Sequence, residues 1–580
     1  MTFRIFLAIS LLLTSGVASA QDFRPAPEAP SGTTEKALVV AKRHMVVAAE
    51  PLAAEAGREI LRKGGSAVDA AIATEMVLGL VEPQSSGLGG GAFITYWDAK
   101  TRAVTTFDGR ETAPAAAKPD RFLKDGKPMP FREAVLSGLS VGVPGVLRAL
   151  YAAHEKFGRL PWKSLFGPAI KLAEDGFPVS PRLAVLLRDD DPANFAPAAR
   201  GYFYRGGTKP PERGEILKNP EYAETLRTIA EKGPDALYSG VIADAIVEAV
   251  QNAKSIRGDM TAADLSGYVA KEREPVCAGY RGRQVCGMGA PSSGGLTVGA
   301  VLKLIEPFHQ VQGPAAAMTA PALNIIAEAE KLAYADRNRY IADPDFIAMP
   351  SGLLNDHYLA ERRKLIVPGK AIEKAEPGFP PGLAKKTFGV DATYEVPGTT
   401  QVSIVDDDGN AFAMTATIES AFGSHLWAKG FLLNNELTDF SFRPVDDNGV
   451  AVANAVAGGK RPRSSMAPTI VLGADGTPEI VTGSPGGSQI ILYVVKTLVG
   501  MIDWGLDAQR AASLTNFGSQ GGPFLIEYSL PIMWSAFELT TYGQAVSGAT
   551  MTSGVNTVAR HDGHLEGGAD PRREGVALGD

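Results

Sequence analysis

The chain has 580 residues, 45% hydrophobic and 21% charged, an ordinary globular composition long enough to bury most of its apolar surface. Its formal net charge of -7 leaves no basic footprint for nucleic acid and no electrostatic reason to favour an anionic membrane. Small molecules are therefore the expected partners, and two cysteines are too few for a cysteine-based zinc site.

Residues 1–20 carry one basic side chain, Arg4, an apolar run from Ile5 to Leu13, and Ala18-Ser19-Ala20 ahead of Gln21. That layout is a secretory signal peptide, and it predicts cleavage after Ala20 and a periplasmic or secreted product. No later stretch reaches the roughly eighteen uninterrupted apolar residues of a membrane span, so no membrane association is expected once the signal is removed. Length alone suggests about three or four domains, yet no linker, charge block or repeat divides the chain.

Met45 to Ala49 reads as a strand, and Pro51 to Lys63 as a helix stopped by Gly64-Gly65. A second helix opens on Ser66 as N-cap, with Asp69 near the positive end of its dipole. The glycine-rich run from Pro83 to Phe93 lacks the Gly-Lys-Ser/Thr ending of a phosphate loop and does not lead from a strand into a helix, so close backbone packing is its expected purpose. Strands from Phe93 to Trp97 and from Val104 to Phe107 follow. Arg110 then stands at a strand end, where it is either a fork for a carboxylate or a solvated surface residue.

Gly138-Leu139-Ser140-Val141-Gly142 matches G-x-S-x-G, but Val143-Pro144-Gly145 intervenes before the helix from Val146 to Lys156, which argues against a nucleophile elbow. The chain from Lys163 to Leu265 is helical in period and chemically quiet. Cys277 and Cys286 flank a hairpin, and a cross-strand disulfide is one of the registers open to them in an exported protein. Pro291 to Gly295 opens a helix running towards Glu306. A longer helix from Ala322 to Arg339 holds Tyr334-Ala335-Asp336-Arg337, whose charges read as structural ion pairs. The seven histidines form no H-E-x-x-H pattern, and neither a metal nor a cofactor is expected.

Chemistry concentrates from Val396 onward. Pro397-Gly398 is a breaker, and beyond it Val402 and Ile404 alternate with Gln401 and Ser403, the pattern of a half-buried strand. Asp406 to Asn410 is a turn, and Ala411 to Ile418 returns. This hairpin brings Thr399, Thr417 and Glu419 to one edge. Thr399 by itself is an ordinary strand residue; as a new chain terminus it would carry nucleophile and base together, a hydroxyl and an α-amino group. Gly483-Ser484-Pro485-Gly486-Gly487-Ser488 is either a tight turn or an anion site built from two glycine N–H groups and a helix dipole.

The runs Gly64 to Ala70, Ser86 to Gly91, Pro291 to Gly295, Tyr334 to Arg337 and Gly483 to Ser488, in this order, resemble the bacterial γ-glutamyltransferases of the N-terminal-nucleophile hydrolase superfamily, from about Leu38 to Arg572. The resemblance implies an α+β fold, a four-layer αββα sandwich built jointly by two autoprocessed subunits. After the signal peptide already read over 1–20, it implies a large subunit over 21–398 and a small catalytic subunit over 399–580, cut between Gly398 and Thr399 and held as a heterodimer. Thr399 is then the nucleophile, Thr417 orients it, and Gly486 and Gly487 form the oxyanion hole. Arg110, Ser464 and Ser465 match positions that hold the donor's α-carboxylate; Glu419, Glu436 and Asp439 match those that hold its α-amino group. The expected partners are a γ-glutamyl donor such as glutathione and a water, amino-acid or peptide acceptor.

Two departures stand out. Glu419 and Glu436 replace the amides of the enterobacterial type, and the loop from Asp439 to Ser464 is slightly short and has no tyrosine to act as a gate. A glutaryl-cephalosporin acylase of the same family and an unprocessed, non-catalytic exported binding protein are the competing expectations.

Overall fold

The computed structural model describes residues 32–383, 388–393, 395, 396, 398–528 and 532–580. The expected signal peptide and Pro397 lie outside them. The protein is a mixed α/β structure organised on two seven-stranded antiparallel sheets. In the first, the spatial order is Val576–Gly579, Met45–Ala48, Thr400–Val405, Ala411–Thr417, Gly91–Asp98, Ala103–Gly109 and Lys271–Arg273. In the second it is Val39–Ala41, His564–Ala569, Asn556–His561, Pro478–Gly483, Thr469–Leu472, Arg283–Gly287 and Val276–Tyr280.

Period-2 alternation sorts the side chains of these strands. Met45 and Val47 join Val405, Ala411 and Ala413 in a cluster with Ile470, Val481 and Val558 of the other sheet, while Val46, Val402, Ile404, Phe412 and Met414 face the opposite way. There they pack under helices Pro51–Arg62, Ala67–Val81 and Val146–Phe157. Helices Gly294–Ile305, Ala320–Tyr340 and Ile490–Ile502 bury their apolar residues with Val285, Val471 and Ile480 of the second sheet. Ser66 caps Ala67–Val81, as its sequence predicts, and Asp69 completes a reciprocal box by accepting the Ser66 N–H at 2.9 Å.

The strand after Thr399 departs from its sequence pattern. All six residues of Thr400–Val405 are buried, polar ones included, because the strand is interior to its sheet and covered on both faces. Gln401 is satisfied by the Thr415 hydroxyl, which donates to its Oε1 at 2.7 Å, and the Ser403 hydroxyl donates to the Asn556 carbonyl at 2.8 Å. Alternation of polarity therefore marked which face meets which layer, not which face meets water.

The glycine-rich loop serves close packing: a Cβ on Gly90 would lie 2.0 Å from the Thr417 carbonyl oxygen. Ser140 of the G-x-S-x-G match is buried and donates to the Val135 and Ser137 carbonyls, so its hydroxyl is structural. Cys277 and Cys286 face each other across the hairpin and form a disulfide. Among the described residues no helix is long and apolar enough to cross a membrane.

Candidate active site

The hairpin Thr400–Val405 and Ala411–Thr417 pairs Thr400 with Ala416, which sets Thr399 beside Thr417 at the sheet edge. Thr399 is buried, with 4% of its surface exposed. The Thr417 hydroxyl donates to the Gly398 carbonyl oxygen at 2.7 Å and accepts the Glu419 N–H at 2.8 Å. The Thr399 hydroxyl approaches Thr417 Oγ1 at 3.4 Å, longer than an ordinary hydroxyl hydrogen bond. From the other end of the chain, Arg573 Nη1 donates to the Thr399 carbonyl at 2.9 Å. A hydroxyl thus stands next to a carbonyl whose oxygen already receives a donor, an arrangement suited to acyl transfer.

A cavity of about 20 Å³ opens on this pair, room for about one water molecule. Arg110, Thr399, Thr417, Glu419, Glu436, Asp439, Ser464, Ser465 and Gly487 all line it, so nine of the residues expected from sequence converge. Gly486 does not line it; a Cβ there would meet the Tyr493 ring at 2.5 Å. Gly487, at φ 55°, opens the short turn that feeds helix Ile490–Ile502. A Cβ on Gly487 would lie 2.5 Å from the Glu395 carbonyl oxygen and 2.7 Å from the Val396 carbonyl carbon. The chain that leads to Gly398 therefore runs directly over the glycine turn.

Arg110 is buried, not a solvated surface residue. Its guanidinium donates to Glu436, to Asp439 at 2.5 Å, and to the Pro462 and Arg463 carbonyls at 3.2 and 2.8 Å. Burial opposes its charge, but Glu436 and Asp439 outweigh burial and hold it more firmly protonated than a free arginine. Burial pushes the Glu436 carboxyl up and the Asp439 carboxyl well up, with Arg110 pulling both back. Burial, reinforced by the charge of Glu436, pushes Glu419 up to about 7. Glu419 accepts from the Val396 N–H at 3.1 Å, from Asn435 Nδ2 at 2.8 Å and from the Ser420 hydroxyl.

Ser464 and Ser465 are buried at the same site, yet the arginine touching Ser465 is Arg337, whose Nη2 donates to Ser465 Oγ at 2.5 Å. Arg337, Glu395, Arg463 and Arg573 were not singled out as site residues from sequence, and neither was Glu111, a buried carboxyl raised by burial and by the charge of Glu436. Helix Ala320–Tyr340 carries six charged side chains, and Arg337, buried among them, must meet a counter-charge. That partner, Glu395, lies 58 positions away in sequence and no local pattern points to it. Beyond Thr438 a roomier cavity of about 260 Å³ is lined by Phe131, Phe442 and Val445 and by Val390 and Ala392 of the leading segment.

The family model for γ-glutamyltranspeptidase matches residues 53–580. The glutathione hydrolase proenzyme of Escherichia coli (strain K12) is 37% identical over 588 aligned residues, covering 98% of each chain. That of Bacillus subtilis (strain 168) is 38% identical over 513, covering 87% of this chain and 85% of its own. A crystal structure of cephalosporin acylase from Bacillus halodurans superposes with a TM-score of 0.82 at 27% identity, covering 97% of this chain and 99% of that one. By the family model and these relatives, the chain belongs to the γ-glutamyltranspeptidase family.

Proposed function

We propose that this enzyme cuts itself between Gly398 and Thr399 and then hydrolyses or transfers the γ-glutamyl group of glutathione and related compounds, with Thr399 as nucleophile. The observation that carries this reading is the Thr417 hydroxyl on the Gly398 carbonyl oxygen with the Thr399 hydroxyl alongside. In the first step Thr399 Oγ bonds to the Gly398 carbonyl carbon, the C–N bond to Thr399 breaks, and the hydroxyl proton passes to the freed amine. Water then cleaves the ester, leaving a Gly398 carboxylate and restoring the Thr399 hydroxyl. Gly398 has no side chain to obstruct the approach, and a Cβ there would lie 2.1 Å from the Glu419 carbonyl oxygen.

The new α-amino group titrates near about 8, so near neutral pH it can take the hydroxyl proton as Thr399 Oγ attacks the γ-carbonyl of a donor. The proton passes to the leaving amine, and water or an acceptor amine releases the γ-glutamyl ester, giving ping-pong kinetics. Gly486 and Gly487 supply oxyanion donors, Gly487 from the cavity wall. Arg110, Ser464 and Ser465 take the donor's α-carboxylate, and Glu419, Glu436 and Asp439 its ammonium. The buried mixture of Arg110 with these acids supports that assignment, since each charge of a desolvated zwitterion must be paired.

We further read the two sheets and their helix layers as the αββα sandwich of the superfamily, shared by fragments 21–398 and 399–580. Thr400–Val405 pairs with Met45–Ala48 on one side, so a cut at Thr399 leaves the two fragments interleaved and associated. The layout of residues 1–20 supports export to the periplasm or medium. On a denaturing gel the wild type should give two fragments, and Thr399→Ala should stay whole and inactive. Cleavage of that variant at the usual bond would overturn the mechanism.

The likeness to the cephalosporin acylase favours a second reading, removal of a glutaryl group, which lacks the ammonium. Arg110 already pairs with both Glu436 and Asp439, so those acids alone discriminate weakly; Glu419, which no arginine touches among its hydrogen bonds in the described residues, is the group that an ammonium would satisfy.

A further inference from the structure

The segment that precedes the cut is fastened at unusually many points for a loop. Asp391 is paired with Arg463 Nη2 at 3.0 Å and accepts from Asn454 Nδ2 at 3.1 Å. The Glu395 carbonyl accepts from the Ser488 N–H at 3.4 Å, in the turn that Gly487 opens. The Val396 N–H donates to Glu419. At the centre is the Glu395 carboxylate itself, almost wholly buried and held by Arg337 Nη2, with Arg463 Nε at 3.6 Å. Arg337 is built to receive it: its Nε donates to Ser293 Oγ at 2.8 Å, and its Nη2 bridges Glu395 and Ser465. Ser293 in turn is tied through its own N–H and hydroxyl to the Ser464 carbonyl, both at 2.7 Å.

A carboxylate taken out of water is expensive unless it is paired, so this pair is a strong constraint on where the chain lies. Between Glu395 and Thr399 there are three residues, too few to absorb a misplacement of the carbonyl under attack. An attack geometry displaced by about 1 Å loses roughly a hundredfold in rate.

We propose that Glu395 is the positioning residue of the self-cleavage: its ion pair with Arg337 fixes the leading segment so that the Gly398 carbonyl meets Thr417 and Thr399. It does so beside Ser465, a wall of the site that the donor's carboxylate is expected to use, so Arg337 holds that serine and an internal carboxylate together before the cut. This rests on the reading that the chain cuts itself before Thr399.

The test follows cleavage in a pulse-chase translation of the full chain, with the first-order rate measured for wild type, Glu395→Gln, Arg337→Gln and the double variant. Glu395→Gln is expected to slow the appearance of the Thr399-initiated fragment at least about tenfold, the loss of a charge-assisted contact at a buried site. The double variant should be no slower than the worse single one, because both remove the same contact. A wild-type rate for Glu395→Gln, or a double variant slowed by the product of the single effects, overturns the proposal. Should the amide variant not fold, Arg337→Lys keeps the charge but not the fork: slowing supports the anchor, and a wild-type rate refutes it. A wild type that is never cut before Thr399 removes the processing reading instead, which keeps the two failures distinct.

Discussion

Replacing Thr417 by alanine removes one hydroxyl with two duties. It donates to the Gly398 carbonyl oxygen at 2.7 Å and accepts the Glu419 N–H at 2.8 Å. In the proposed self-cleavage the first duty grows as Thr399 attacks, because negative charge develops on the very oxygen that Thr417 touches. Losing one such preorganised donor costs about 3–4 kcal/mol of transition-state stabilisation, a slowing of roughly 10²–10³. The second duty is present before and during the reaction; orphaning the Glu419 N–H costs about 1–3 kcal/mol of stability and leaves the rate largely untouched. The two effects separate by assay. Self-cleavage of newly made chain, followed on a denaturing gel, should slow by that factor in Thr417→Ala and recover to within a few-fold in Thr417→Ser, which keeps the hydroxyl. A Thr417→Ala chain that cuts itself at the wild-type rate would refute the role given to this hydrogen bond, as would a serine variant as slow as the alanine one.

Further expectations follow from the buried charges. Because the folded chain holds the Glu419 proton up to about 7 while an unfolded glutamate releases it near its ordinary 4.5, the folded state binds more protons between those values and loses stability as pH rises through them, by at most about 3 kcal/mol. Thermal melting of the uncut Thr399→Ala chain at pH 5 and pH 8 should show that loss reduced when Glu419→Gln is added; an unchanged pH dependence would contradict it. Arg110→Ala should be more damaging than Arg110→Lys, since it leaves Glu436 and Asp439 as buried charges without their cation at a cost of about 3–5 kcal/mol; equal melting midpoints for the two variants would be inconsistent with the ion pairs. Arg110→Lys keeps a charge but loses the fork, so donor KM should rise at least tenfold if the fork binds the carboxylate. Anilides of γ-glutamate and glutarate distinguish the two substrate readings: a glutaryl kcat/KM larger by about tenfold, 1.4 kcal/mol, would favour the acylase.

Much of the site was legible because its residues come in contiguous runs. Thr399, Thr417 and Glu419 lie on one hairpin, whose register follows from the turn at Asp406 to Asn410, and the glycine pair announces itself. The sheets were harder. Strands such as Val576–Gly579 and Met45–Ala48 are neighbours in space and more than five hundred positions apart, a pairing that composition and period cannot specify. The alternation at Gln401 and Ser403 suggested a solvent face where the protein instead has the second sheet, whose Asn556 carbonyl receives Ser403, while Thr415 of the adjacent strand satisfies Gln401. Arg337 illustrates the same limit. Its helix and its charge were plain, and its assignment to a structural ion pair was half right: the pair exists, but its partner belongs to the segment that leads to Gly398. Arg573 and Glu111 reach the site from segments whose sequence carries no distinctive spacing.

The central claim is that Thr399 becomes a chain terminus and acts from there. Terminal sequencing of the smaller fragment after purification tests it most directly. The fragment should begin Thr399-Thr400-Gln401-Val402-Ser403. A chain that remains whole after prolonged incubation, or a fragment that begins at any other residue, would contradict the account.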